Sequence, residues 1–244
     1  MILSRLFLNP RSREVRRDLA DCQQMHRTVM SAFPHTESHP ARRELAVLYR
    51  VEQNGEIGLP VLLVQSRLRP DWSRLPDGYM ATAAETPNPD SKDLAGAWGH
   101  LRAGTTLSFR LRANPTRKID TKSGADGRRR NGRRVELRTE GDQLNWLRRR
   151  ADAGGFEIVS ARSAPAVANV RIVEEAKHSG SRVEPASSGG DGYRARLSFA
   201  SVLFEGLLRI TDPDKLRVTL EQGVGSAKAY GFGLLSIAPH RPDS

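Results

Sequence analysis

RRELAVLYRVEQNGEIGLPVLLVQSRL, Arg42 to Leu68, is the stretch whose reading decides the fold. The part through Glu52 reads as a strand, Asn54-Gly55 marks a turn, and Leu59 to Leu68 reads as a second, buried strand. What flanks this pair selects the fold that holds it. Before it, ILSRLFL is a short strand candidate ended by Asn9-Pro10. RSREVRRDLADCQQMHRTVMSAF follows with helical character and stops at Pro34. Asp21 with Gln24 three residues later resembles a capping box, so a helix turn restarts there. After the pair, residues 70 to 100 are rich in Pro, Asp and Gly and read as loop with one short helix. TTLSFRLRANP, Thr105 to Pro115, alternates apolar and polar residues as a strand does. The order β-α-β-β-loop/α-β matches a ferredoxin-like unit.

The second half repeats the order. Thr116 to Gly132 is polar, basic and Gly-containing, and reads as an exposed linker or loop. RRVELR is then a short strand, and GDQLNWLRRRADAGG a helix with Leu144 and Leu147 on its apolar side and Gly154-Gly155 at its end. FEIVSARS, ANVRIVEEAK and YRARLSFASVLFEGLLRIT supply strands, DPDKLRVTLEQG is a capped helix, and YGFGLLSIAP is the last strand. Residues 179 to 192 read as a hairpin tip or a disordered loop. The expected fold is therefore α+β, with two tandem ferredoxin-like domains and a C-terminal Gly-rich loop. The divisions fall at 1–115, 116–132 and 133–244, and the first domain carries the helix with His26.

Composition narrows the class. The chain has 244 residues, 38% of them hydrophobic and 27% charged, which suits a soluble globular protein with a real core. No apolar run is long enough to span a bilayer, and the start lacks the features of a signal peptide. The single cysteine, Cys22, excludes an internal disulfide and a Cys-rich metal site, and the cytoplasm is the default location. The formal net charge is +11, and of the 39 basic residues only six are lysine. Codon bias can favour Arg over Lys but does not explain the excess over acids. The basic residues cluster in RRRNGRR, which supplies Arg128, Arg129, Arg130, Arg133 and Arg134, and in LRRR, which supplies Arg148 and Arg149. Two such runs in one half of a basic chain favour a phosphate-rich partner, RNA or DNA, over a membrane.

Two stretches could carry chemistry. If a helix begins near Cys22, then Met25, Val29, Ala32 and Phe33 form a buried stripe, and His26 lies at its edge with Gln23 one turn before. Such a histidine titrates near neutral pH and can pass protons; it can equally be a packed helix residue. In GVGSAKAYGFGLLS, Gly223, Gly225, Gly231 and Gly233 form two G-x-G pairs around Lys228. Glycines let backbone approach a phosphate, and Lys228 adds a cation; a turn followed by a Gly-containing strand is the plainer reading. The loop is neither a Walker A nor a Rossmann fingerprint, because it follows a helix and lacks the closing Ser/Thr. His35 and His39, with Glu37 between them, lie in a Pro-bounded loop with no further ligand nearby and read as surface residues, so no metal is expected.

An ordered set of motifs carries a family resemblance. L-S-R-L-F-L-N-P-R-S-R, R-R-D-L-A-D-x-x-x-M-H-R-T, P-V-L-L-V-Q-S with the P-D-W after it, L-S-F-R-L-R-A-N-P, V-L-F-E-G-L-L and G-V-G-S-A-K-A-Y-G-F-G-L-L-S-I-A-P resemble the CasE family of the RAMP superfamily. The resemblance runs from Ile2 to Pro239. It implies an endoribonuclease of type I-E CRISPR systems that binds the stem-loop of repeat transcripts and cuts at the base of the stem without metal or cofactor. The RNA's 2′-OH would attack, leaving a 2′,3′-cyclic phosphate and a 5′-OH, and the guide RNA would stay with the protein and the other Cascade subunits. The resemblance places the family's catalytic histidine at His26, as acid or base. The family typically has a tyrosine three residues earlier; Gln23 stands there, able to orient a group but not to ionise. Arg27, Ser31, Lys228 and the four loop glycines join the arginines as candidate RNA contacts. The alternative is a subunit that holds the RNA hairpin with weak chemistry or none.

Overall fold

The computed structural model describes residues 1–34, 41–52, 58–82, 86–119, 133–161, 164–184 and 193–240. The chain begins with β1 (Ile2–Phe7), α1 (Arg13–Ala20), α2 (Cys22–Ser31), α3 (Ala41–Glu44), β2 (Leu48–Glu52), β3 (Val61–Ser66), β4 (Asp90–Asp93) and α4 (Ala95–Gly99). It continues through β5 (Thr106–Ala113), β6 (Thr116–Ile119), β7 (Arg133–Glu136), α5 (Glu140–Ala153), β8 (Phe156–Ile158), β9 (Ser160–Ala161) and β10 (Ala164–Ala168). It closes with β11 (Val170–Glu184), β12 (Tyr193–Ile210), α6 (Pro213–Gln222) and β13 (Leu235–Pro239).

Two antiparallel sheets share one strand permutation. The first runs β2-β3-β1-β4, and the second runs β11-β12-β5-β13 with β8 also on β12. In each, the first strand lies between the third and the fourth. That is the expected tandem ferredoxin-like arrangement. In the second unit α5 joins first strand to second, and α6 joins third to fourth. In the first unit α1 and α2 fill the first connection, and among the described residues of the other a short 3-10 turn, Trp72–Arg74, is the only helical element. One core holds Leu6, Val15, Met25, Val29, Phe33, Val64 and Tyr79; the other holds Phe109, Leu111, Trp146, Leu147, Phe204 and Leu216.

Three expectations need correction. Thr106–Ala113, expected to close the first unit, is the central strand of the second sheet, between β12 and β13. Its Phe109, Leu111 and Ala113 complete the second core, so the division falls before this strand and not at residue 115. The fourth strand of the first sheet is instead β4, inside the stretch expected to be loop. Its sequence, Asp-Ser-Lys-Asp, has no apolar residue. It is held by backbone pairing to β1, by a 2.8 Å Ser4–Ser91 hydroxyl bond and by the N-terminal ammonium, 3.4 Å from Asp93. RRVELR does not open the second sheet either: among the described residues β7 pairs with β6 alone, as a two-stranded ribbon. The start of the expected linker is thus strand β6.

The units meet through charge. Arg50 of β2 is 2% exposed. Its guanidinium donates to the Leu234 carbonyl at 2.9 Å and the Ser236 hydroxyl at 3.0 Å, both on the second unit, and pairs with Glu52 at 2.6 Å. Arg112 of β5 reaches the other way, donating to the Val51 carbonyl. It forks onto Glu175 through Nε at 2.6 Å and Nη2 at 2.7 Å, and Ser201 donates to the same carboxylate at 2.7 Å. Burial works against the Glu175 charge, but the Arg112 bonds and charge outweigh it and hold the carboxyl below its usual range. Such a pair contributes little as a pair and costs much when one half is lost. Glu175→Gln is therefore expected to destabilise the protein by about 2 kcal/mol in a denaturant titration. Glu157→Gln, which breaks the exposed pair with Arg209, should cost under ~1 kcal/mol. Equal effects would place the network's importance elsewhere.

Candidate active site

The site forms where α2 of the first unit faces the Gly-rich loop of the second. Asp21 sets it up. It interrupts the helical run in an extended conformation (φ −133°, ψ 109°), and its Oδ1 accepts the amides of Gln23 at 2.8 Å and Gln24 at 3.2 Å. This is the restart expected between the two helical stretches. Oδ2 accepts the Ser181 amide of β11 at 3.3 Å, so the residue that starts α2 also ties it to the second unit. Gly180 permits the approach: a Cβ there would stand 2.5 Å from Asp21 Oδ1.

Downstream, Met25, Val29, Ala32 and Phe33 are buried as the stripe requires, and His26 is half-buried at its edge. The His26 ring meets Tyr230 of the loop edge-on, with centroids 6.1 Å apart at 69°. Gln23 is packed inward at 8% exposure, and its Oε1 is buried without a hydrogen-bond partner among the described residues. Arg27 is exposed. Ser31 is exposed too, but its hydroxyl donates to the Thr28 carbonyl at 2.8 Å, so that proton is committed within the helix.

The loop glycines serve packing before anything else. Gly223 ends α6 at φ +75°, where a Cβ would sit 2.8 Å from both the Gly233 carbonyl and Leu48 of β2. Gly231, at φ +87°, rests against the Tyr49 ring, 3.2 Å from where its Cβ would be. The Gly223 amide donates to Thr219 and the Gly233 amide to Arg112, so neither amide is offered to a phosphate. Lys228 donates to the Gln222 carbonyl at 2.8 Å, placing its charge at the negative end of α6.

Tyr49 bridges helix and loop. Its buried hydroxyl donates to the Ala229 carbonyl at 3.1 Å and lies 3.5 Å from the Cys22 carbonyl in the first turn of α2. Burial pushes its pKa far up, so it stays a donor. Beneath the loop, burial holds His178 below the usual histidine range, more than its bond to the Tyr230 carbonyl raises it. A carbonyl can only accept, so for His178 to bond it at 3.3 Å, Nδ1 must carry a proton.

Beside this centre runs a groove of about 970 Å³ between the β6–β7 ribbon, β12 and the loop. Arg117, Arg134, Arg138 and Lys177 line it with Phe199 and Ser226. Of the described sequence candidates it takes in Arg134 alone. Arg148 and Arg149 are exposed on α5. Arg128, Arg129 and Arg130 lie outside the described residues, as do the Arg133 side chain and His35, Glu37 and His39. Sequence reasoning missed Tyr230, Phe199, Tyr49, Arg117 and Arg138. Single residues in ordinary strands and loops carry no local signal of a shared groove.

Comparison with known proteins bears on this geometry. The family model described as "CRISPR associated protein" matches residues 1–239. The chain belongs to that CRISPR-associated family. The CRISPR-associated endoribonuclease Cse3 of Thermus thermophilus is 36% identical over 98% of this chain and 100% of its own length. The CRISPR system Cascade subunit CasE of Escherichia coli is 31% identical over 90% of this chain and 92% of its own. A solved structure of Cse3 bound to 19 nt RNA is similar with a TM-score of 0.73 at 36% identity, covering 98% of this chain and all of that one. Among the described residues of this CRISPR-associated protein, no helix is long and apolar enough to cross a membrane.

Gly223 gives the site a direct test. Gly223→Ala puts a methyl group into backbone and Leu48 at a left-handed φ, so the loop must shift off β2. The variant is expected to melt several degrees lower and to bind hairpin RNA more weakly. Unchanged melting and binding would show that the loop does not depend on this packing.

Proposed function

We propose that this protein is a CRISPR RNA-processing endoribonuclease. It grips the stem-loop of repeat transcripts, cuts at the base of the stem without a metal ion, and stays with the guide RNA among the other subunits of a Cascade complex. The observation that carries the reading is the placement of His26. The residue on α2 able to move a proton near neutral pH stands half-exposed against the Gly-rich loop, close to an arginine-lined groove. The names of the Cse3 and CasE relatives and the RNA-bound Cse3 structure support the substrate, and CasE's designation as a Cascade subunit supports the assembly.

The chemistry needs alignment and two proton transfers. The ribose 2′-oxygen attacks the adjacent phosphorus, the bond to the 5′-oxygen breaks, and a 2′,3′-cyclic phosphate and a 5′-OH remain. One proton leaves the 2′-OH and one reaches the departing 5′-oxygen. His26 performs one of these transfers. The unpaired Gln23 Oε1 is an acceptor suited to orienting a hydroxyl or the imidazole. Arg117, Arg134 and Arg138, with Arg148 and Arg149 on α5, meet stem phosphates; A-form RNA is gripped by shape and backbone because its deep groove hides the bases.

A second reading, a hairpin-holding subunit without chemistry, draws on Gln23, since a buried amide supplies no second ionisable group. One experiment separates them. His26→Ala is expected to lower the single-turnover cleavage rate by about 10²–10⁴ with hairpin affinity within a few-fold of the parent. A variant that cuts at the parent rate removes His26 from the mechanism; a parent that binds the hairpin and never cuts it supports the second reading.

A further inference from the structure

One aromatic side chain in the loop, Tyr230, is held through both its backbone and its ring. Two carbonyls of the Tyr230 backbone accept hydrogen bonds from side chains, one from the buried Tyr49 and one from the half-buried His178. Tyr49 donates to Ala229 at 3.1 Å, and His178 approaches Tyr230 itself at 3.3 Å. The next residue, Gly231, turns at φ +87° against the Tyr49 ring, where any other residue would strain. The Tyr230 ring stacks on Phe199 of β12, centroids 4.9 Å apart at 22°. Phe199 leans edge-on against Phe232 at 6.1 Å, and Phe232 lies 4.7 Å from His178. Aromatic rings in such stacked and edge-on arrangements hold their geometry better than aliphatic side chains. The row reaches His26: besides Phe199, the Tyr230 ring meets the imidazole edge-on.

From this geometry we infer that Tyr230 is a positioning residue for His26. Its ring, braced by Phe199, sets the orientation of the imidazole toward the scissile phosphate, and the loop's anchoring to Tyr49 and His178 serves that contact. The inference rests on the proposed role of His26. Tyr230 transfers no proton here; it acts through the histidine. Because reacting geometry tolerates about 1 Å of error before rates fall ~10²-fold, loss of the brace should appear in the chemical step and not in binding.

Single-turnover cleavage and hairpin affinity would be measured in parallel for Tyr230→Leu, Tyr230→Phe, Phe199→Leu and His26→Ala, each checked by melting temperature. Tyr230→Leu is expected to cut roughly 10- to 100-fold more slowly at unchanged affinity. Tyr230→Phe, which keeps the ring, should restore the rate to within about threefold of the parent by the same geometric argument. Phe199→Leu should fall between them. Parent-rate cutting by Tyr230→Leu overturns the inference. So does a matched loss of affinity and rate, which would make the ring a packing group only. A Tyr230→Phe as slow as Tyr230→Leu overturns it as well, because the hydroxyl would then be what matters. If His26→Ala is inactive while Tyr230→Leu is normal, only this inference fails; if His26→Ala cuts normally, the role of His26 itself fails.

Discussion

Arg112 and Arg50 hold the molecule in one arrangement. Each is rooted in one unit and satisfied in the other: Arg50 by the Leu234 carbonyl and Ser236, Arg112 by the Val51 carbonyl. Glu52 pairs with Arg50 and has Arg110 at 3.2 Å, and Glu175 takes the fork of Arg112. An apolar joint would tolerate sliding, since burial is indifferent to direction. A joint of directed, charge-assisted bonds does not, because a displaced guanidinium would leave several buried donors unpaired. Gln65 adds a neutral tie across the same joint, donating to the Leu220 carbonyl at the end of α6.

Fixing the units fixes the site, because the site belongs to neither alone. His26 comes from α2, whose apolar stripe is sunk in the first core. Tyr230 comes from the loop after α6, which is closed against the second sheet by the Gly233–Arg112 backbone bond. Asp21 and Tyr49 cross the remaining gap. The glycines let the loop lie flat against Leu48 and Tyr49, which brings Tyr230 within reach of the helix.

Much of this was legible in the residues. The α2 stripe and the restart at Asp21 are local patterns, and local patterns survive folding. The tandem fold followed from two runs of strands and helices in order, though the division between them did not. Asp90–Asp93 has no apolar alternation because it is a solvent-facing edge that needs only backbone pairing. Without that strand, the apolar Thr106–Ala113 was the natural fourth strand of the first sheet. The cation clusters drew attention to charge density along the chain, whereas the groove draws Arg117, Arg134, Arg138 and Lys177 from three strands and the segment before α5, distant in sequence. Tyr230 was invisible for the same reason: its partner Phe199 is 31 positions away on another element, and pairing of that kind is a tertiary fact.

How the RNA is cut decides the mechanism most directly. The parent protein would be mixed with a repeat hairpin RNA from its own CRISPR locus in EDTA, beside the same RNA carrying a 2′-deoxy sugar at the cut site. The expected result is cutting of the first RNA only, with a 2′,3′-cyclic phosphate on the upstream fragment. Cutting of the deoxy substrate, or activity that disappears with EDTA and returns with a divalent cation, would contradict it.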